Sequence, residues 1–243
     1  MQVAAKSMKQ DFPRRFYKEA AFEKSDVGYE LRLDGRSAKT PGRSALAMPT
    51  EETAALVVAE WNAQEEHIDP RTMPATRLAN TAIDGVAGDP QAVKEDITRF
   101  AGADLLCYRA DGPDGLVTVQ RELWDPLLDW AQSDLGARFE LAEGVMHITQ
   151  PAETIAAFGV HVGAIDEPFR LAAVHLVTSL CGSAIIAMAV DKQRLSAEAA
   201  WRAAHADEDW QISQWGEDFE AQDRRAKRWL DMQAACAVIA GTQ

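Results

Sequence analysis

Positive charge is the first shortage in this chain. Its 243 residues hold 25 Lys and Arg against 38 Asp and Glu, a formal net charge of −13. Proteins that grip nucleic acid neutralise phosphates with clustered basic side chains, so this balance argues against a nucleic-acid partner. An acidic surface aids solubility and can complement a basic partner, but names none by itself. Cysteine is nearly absent too. Cys107, Cys181 and Cys236 are far apart and form no C-x-x-C, which fits a reducing compartment and not a disulfide framework.

Histidine is equally sparse. His67, His147, His161, His175 and His205 show no i, i+4 pair and no cysteine neighbour at zinc-ligand spacing, so no metal or other cofactor is expected. His161, between the glycines of FGVHVG, reads as a residue of a tight turn, and His175 as a hydrogen-bonded core histidine. The phosphate loop G-x-x-x-x-G-K-S/T, the dinucleotide loop G-x-G-x-x-G, H-E-x-x-H and G-x-S-x-G are all missing. So are low-complexity tracts, internal repeats and a Pro- or Ser-rich linker. The first ten residues, MQVAAKSMKQ, carry neither the apolar run of a secretory signal nor the Arg-rich pattern of a transit peptide. Leu171 to Val190 lacks Asp, Glu, Lys and Arg and is nominally long enough for a bilayer. His175, Thr178, Ser179, Gly182 and Ser183 inside it favour a buried central helix over stable membrane insertion.

What is present reads first as strand, then as helix. Tyr29, Leu31 and Leu33 alternate with Glu30 and Arg32, the period of a strand with one buried face. Asp34-Gly35 supplies a hairpin turn, Arg36 to Thr40 the return strand and Arg15 to Phe22 a third strand. Thr50 then caps a helix with Glu51 and Glu52 in its first turn, and Ala54, Val57, Val58 and Trp61 form its inward stripe. Leu78, Ala82, Ile83 and Val86 make a second helical stripe, and Asp89-Pro90 starts a third helix through Val93, Ile97 and Phe100. After the loop at 111–115 a helix runs through Leu123, Leu127 and Trp130, kinked or split at Pro126. Phe139 to Thr149 reads as extended, closed by Pro151. Pro168 opens the buried helix, and Ser196 caps a last helical segment reaching Ile239. The order predicts an α+β fold: a small antiparallel β-rich N-terminal domain with one helix (residues 1–68) and a mainly α-helical C-terminal domain (69–243).

The final segment carries the most informative pattern. In EDWQISQWGEDFEAQDRR, Glu208, Ile212, Trp215 and Phe219 share a helical face, and Ile212, Gly216, Glu220 and Asp223 an adjacent one. A glycine inside a helix is tolerated where another backbone comes close. Two carboxylates and a glycine beside aromatic residues would suit a docking helix or loop with a basic anchor. The plainer reading is a solvated face, because Glu220 with Arg224 and Asp223 with Lys227 are favourable i, i+4 pairs. The residues alone leave those two readings level. Glu208, on the apolar stripe, is expected to be buried and to need a partner.

Five segments resemble one family in order along the chain: RFYKEA, DGRSAKTPGRSALAMPT, AEWNAQEEHIDPRTMPATRLANTAID, the apolar run from Leu171, and DEDWQISQWGEDFEAQD. That family is the mitochondrial and alphaproteobacterial assembly chaperones for the alpha subunit of F-type ATP synthase. Trp61, Gln64 and Ile68, with Gln211 to Gly216, carry most of the likeness. The resemblance implies the two-part fold and a non-enzymatic role. The protein would cover the beta-facing surface of the free alpha subunit until the catalytic head assembles. It also implies partner contacts at Glu220, Trp215, Gly216 and Asp223, with Glu208 added from the stripe, and a structural role for Trp61. A monomer when free, working in the bacterial cytoplasm, is expected. Two other classes stay open: a carboxylate-dependent hydrolase on the same fold, and a protein–protein adaptor.

Overall fold

The computed structural model describes residues 12–144, 147–216 and 218–243. The leader reading of residues 1–10, Val145 and Met146 of the extended segment, and Glu217 lie outside them. Four antiparallel strands come first: β1 (Ala20–Ser25), β2 (Gly28–Leu33), β3 (Arg36–Ser37) and β4 (Ala47–Met48). β2 pairs with the other three, and Leu33 faces Arg36 across the turn. Asp34 (φ 47) and Gly35 (φ 78) adopt the positive angles that a tight hairpin requires. Alternation places Leu31 and Leu33 on the buried face as expected. The third strand starts later than predicted. Residues 15–19 are held instead by the loop after the first helix, where the Arg15 amide donates to the Glu66 carbonyl at 2.9 Å.

Helix α1 (Glu51–Asn62) is capped by Thr50, whose hydroxyl accepts from the Thr53 amide, and it packs beneath the sheet. Glu60 then ties α1 to α2 (Pro74–Thr81), accepting from the Ala75 and Thr76 amides at 2.6 and 2.7 Å. The second stripe does not stay α-helical: a π turn takes over from Ala82 to Val86, keeping both of those residues buried. Asp89 caps α3 (Pro90–Ala101). Short strands β5 (Tyr108–Arg109) and β6 (Ala142–Glu143), paired in parallel, flank α4 (Asp114–Leu135). Pro126 does not split α4, because Trp124, Leu127, Trp130 and Ala131 hold one face of it in the core across that position. Among the described residues of the segment predicted as extended, Ala142 and Glu143 form strand. The Gln150 side chain brackets Glu140 instead, with two hydrogen bonds of 2.9 Å to its backbone.

Helix α5 (Ala152–Gly163) contains His161, which therefore sits on a helix and not in a tight turn. The apolar run is buried but is two helices, α6 (Pro168–Cys181) and α7 (Ala184–Asp191). Gly182, at φ 64, ends the first in a left-handed cap, and Ser183 starts the second by accepting from the Ile186 amide at 3.0 Å. Asp104 reaches the same junction and accepts from the Ile185 amide at 3.0 Å. His175 is not a core histidine. It stands partly exposed on α6, with Nε2 2.7 Å from Asp96 of α3. The last segment is three helices: α8 (Ala197–Ala204), α9 (Ala206–Trp215) and α10 (Phe219–Gly241). The C-terminal half of α10 packs into the core through Met232, Ala235, Val238 and Ile239 and contacts α1, α2 and α6. The architecture is α+β, strands first and helices after. Among the described residues no helix is long and apolar enough to cross a membrane.

Candidate functional site

The pattern singled out near the C-terminus is built from α9 and the first half of α10. These helices are joined at a bend, so the continuous face read from spacing does not exist. Gly216 takes φ 85 and ψ 176, a combination that disfavours side-chain-bearing residues, and the chain turns there. An added Cβ would meet nothing within 4 Å, so the glycine serves the turn and not a close backbone approach. Asp218 restarts the chain as the cap of α10, accepting from the Ala221 amide at 3.0 Å.

The root of this arm is held tightly. Trp124 of α4 donates its indole N–H to the Ala203 carbonyl at 2.8 Å, and Gln120 donates to Asp207 at 2.8 Å. His205 stacks on Trp201 with ring centroids 3.9 Å apart, and burial holds its imidazole below the ordinary value. Arg225 crosses from α10 to Asp209 of α9 at 2.5 Å. Arg228 donates to the Leu180 carbonyl at 2.6 Å.

Beyond that root the arm is open. Trp215 is 76% exposed and Phe219 83% exposed, on either side of the bend. Trp215 meets the Trp210 ring edge-on, at 5.9 Å between centroids. Between the helices runs a groove of about 520 Å³, lined on α9 by Glu208, Ile212 and Trp215. Gly216, Asp218 and Ala221 line it near the bend, and Arg224, Arg225 and Arg228 line it on α10.

The predicted residues divide accordingly. Trp215, Gly216 and Glu208 come together around the groove. Glu208 is exposed, not buried, because the bend removes the stripe that would have covered it. Glu220 and Asp223 do not line the groove; they are exposed on α10 and pair with Arg224 at 3.8 Å and with Lys227. Trp61 lies 150 residues earlier in the chain than Gln211, half-buried against the core, with its carbonyl accepting from the Tyr17 hydroxyl at 2.6 Å. Sequence reasoning read Arg224 only as the partner of Glu220 and missed Arg225 and Arg228 of the groove wall, which lie on the helical row of Met232 and Ala235; that spacing alone does not show that α9 folds back to face them.

No group of three or more His, Cys, Asp or Glu able to hold a metal occurs among the described residues. The arrangement offers apolar surface, a wall of three arginines of which two are ion-paired within the chain, and exposed carboxylates, a mix found in binding faces.

Residues 14–132 match the model of the ATP12 chaperone protein family. A crystal structure of Atp12 from Paracoccus denitrificans is 38% identical, covering 95% of this chain and 99% of that one, with a TM-score of 0.87. The Atu1473 protein of Agrobacterium tumefaciens is 51% identical over 96% of this chain and 87% of its own, with a TM-score of 0.91. The mitochondrial protein atp12 of Schizosaccharomyces pombe is 25% identical over 222 residues, 86% of this chain and 76% of that protein.

Proposed function

The chain belongs to the ATP12 chaperone family, and from that premise we propose that it acts in ATP synthase assembly by binding the unassembled alpha subunit of the F-type enzyme. In this reading it shields the surface that will face the beta subunit, and it does so without a catalytic step. The observation that carries the proposal is the pair of exposed aromatics at the bend, Trp215 and Phe219. Large apolar side chains exposed together in polar surroundings mark interaction surfaces, and aromatic residues dominate the energetics of such contacts. An unassembled subunit exposes an obligate interface that is larger and more apolar than ordinary surface, so it needs a cover of this kind.

Glu220 and Asp223 would meet basic groups of the partner. Glu208 and Gly216 would line the contact, and Trp61 would act through folding of the residue 1–68 part. Binding is favoured over hydrolysis because Glu220 stands outside the groove and Asp218, which lines it, is engaged as a helix cap, so Glu208 has no second disengaged acid beside it in the described lining.

Co-expression with the alpha subunit followed by native mass spectrometry tests the reading. A one-to-one complex is expected from a chaperone that is monomeric when free. Glu220→Lys should fold normally, since its side chain is 85% exposed, yet reduce the complex by roughly tenfold. An alpha subunit that stays soluble and unbound in the presence of the wild-type chain would refute the proposal.

A further inference from the structure

The N-terminal sheet ends in an edge whose hydrogen-bonding pattern is only partly met. Among the described strands β1 pairs with β2 and with no other, so its far side is open. The register fixes which groups face that side. Asp34 donates its amide to the Glu19 carbonyl at 3.0 Å, which makes Glu19 a residue bonded toward β2. The two-residue period of a strand then turns the amides and carbonyls of Ala21, Glu23 and Ser25 toward β2 as well, and those of Ala20, Phe22 and Lys24 outward.

Asn62, the last residue of α1, confirms that direction. Its side-chain carbonyl accepts from the Ala20 amide at 2.9 Å and its side-chain amide donates to the Ala20 carbonyl at 2.8 Å, the two bonds a neighbouring strand would make. That cover stops at Ala20. Among the described residues no hydrogen bond reaches the backbone of Phe22 or Lys24 from across the edge. Lys24 does not screen the edge either, because its Nζ lies 5.7 Å from the Tyr29 ring of β2 and the side chain leans inward. Native sheets commonly blunt such an edge, whereas this one leaves two amides and two carbonyls open at positions i and i+2. That spacing matches an extended backbone.

A second copy of this chain is a poor occupant. The symmetric antiparallel register that joins Phe22 to Lys24 of the other copy sets the two Glu23 side chains directly opposite each other, where like charges repel. Glu23 is 67% exposed, and Arg32 is shared between Glu23 at 3.0 Å and Glu30 at 3.2 Å, so that trio keeps one negative charge unmatched. On the opposite face, toward α1, Phe22 is half-buried with its ring 5.7 Å from that of Tyr29, and an apolar neighbour fits there. We infer that the open edge of β1 takes up an extended segment of the client protein as an added antiparallel strand, with a basic residue opposite Glu23 and apolar residues opposite Phe22 and Lys24. This gives the client proposed above a second contact, remote in sequence from the arm, and rests on that reading.

The test titrates the full chain, followed by amide NMR, with end-blocked Thr-Val-Lys-Val-Thr, the same peptide N-methylated at both valines, and Thr-Val-Glu-Val-Thr. The Lys peptide should shift the Phe22 and Lys24 amides and slow their hydrogen exchange. Methylation removes two donors and should weaken binding at least about tenfold; the Glu peptide should bind about threefold more weakly. Glu23→Lys should reverse the preference between the Lys and Glu peptides. The inference is overturned by absence of those shifts, by equal binding of the methylated peptide, by a Lys preference that is missing or that Glu23→Lys does not reverse, or by Phe22 and Lys24 amides already protected in the free chain. The alpha subunit is then added. Its capture should slow exchange at the same two amides, and capture that leaves them unchanged also overturns the inference. Binding of the Lys peptide without capture of the alpha subunit leaves the edge standing and refutes the proposed client.

Discussion

Two tryptophans summarise two regions of this molecule. Trp124 is 0% exposed, packed in α4 beneath α8 with its N–H bonded to a backbone carbonyl, whereas Trp215 is 76% exposed at the tip of an arm. The same contrast holds for glycine breaks. Gly182 separates α6 from α7 inside the core, where Ser183 and Asp104 satisfy the freed amides. Gly216 separates α9 from α10 in the open, beside a groove and two uncovered rings. In the core, a break in a helix is closed by polar atoms of the chain itself; in the arm, the apolar surface around the break stays uncovered. The difference assigns stability to the buried region and leaves the arm as the surface proposed for recognition.

The largest effect should come from the buried side. Trp124→Ala removes a fully enclosed ring and strands the Ala203 carbonyl, and is expected to cost about 3–5 kcal/mol in urea unfolding. A loss as small as that of a surface change would show that α4 is not part of the core.

Asp104 sharpens the comparison through pH. Burial lifts its carboxyl from the ordinary 3.8 to about 6, against the amides of Ile185 and Leu106 that favour the charged form. Between those values the folded chain keeps a proton that the unfolded chain has released. Its contribution is therefore fully present below about pH 4 and lost as the pH rises through about 6. Asp104→Asn has no such proton. The wild type should lose up to about 3 kcal/mol relative to that variant between pH 4 and pH 7. Parallel stability curves for the two proteins would contradict a buried, titrating Asp104.

The smallest effect belongs to the arm. Trp215→Ala should change stability by no more than about 0.5 kcal/mol, because the ring is already in water. If it destabilised the fold as Trp124→Ala does, the arm would have to be counted as core.

Much of the fold was legible because its signals are local. Thr50, Asp89 and Ser196 cap the helices that they announce, and Asp34-Gly35 makes the hairpin. The breaks at Gly182 and Gly216 were not legible, because periodicity continues across a single glycine whether or not the backbone does. Pro126 taught the opposite lesson: a strong local breaker lost to the tertiary packing of Trp124 and Trp130. Of the candidate site, Trp215 and Phe219 could be seen as aromatics in polar company. The groove arginines could not, since Arg224 had already been accounted for as the partner of Glu220. Only the bend reveals that residues 225 and 228 face α9.

The docking of α10 has a consequence for biosynthesis. Its C-terminal turns lie against α1, and a Cβ added at Gly241 would sit 3.3 Å from side-chain atoms of both Glu52 and Thr53. Helices made early thus keep an apolar flank open until a helix made about 170 residues later leaves the ribosome. A member of a chaperone family is thus itself unfinished for most of its own synthesis.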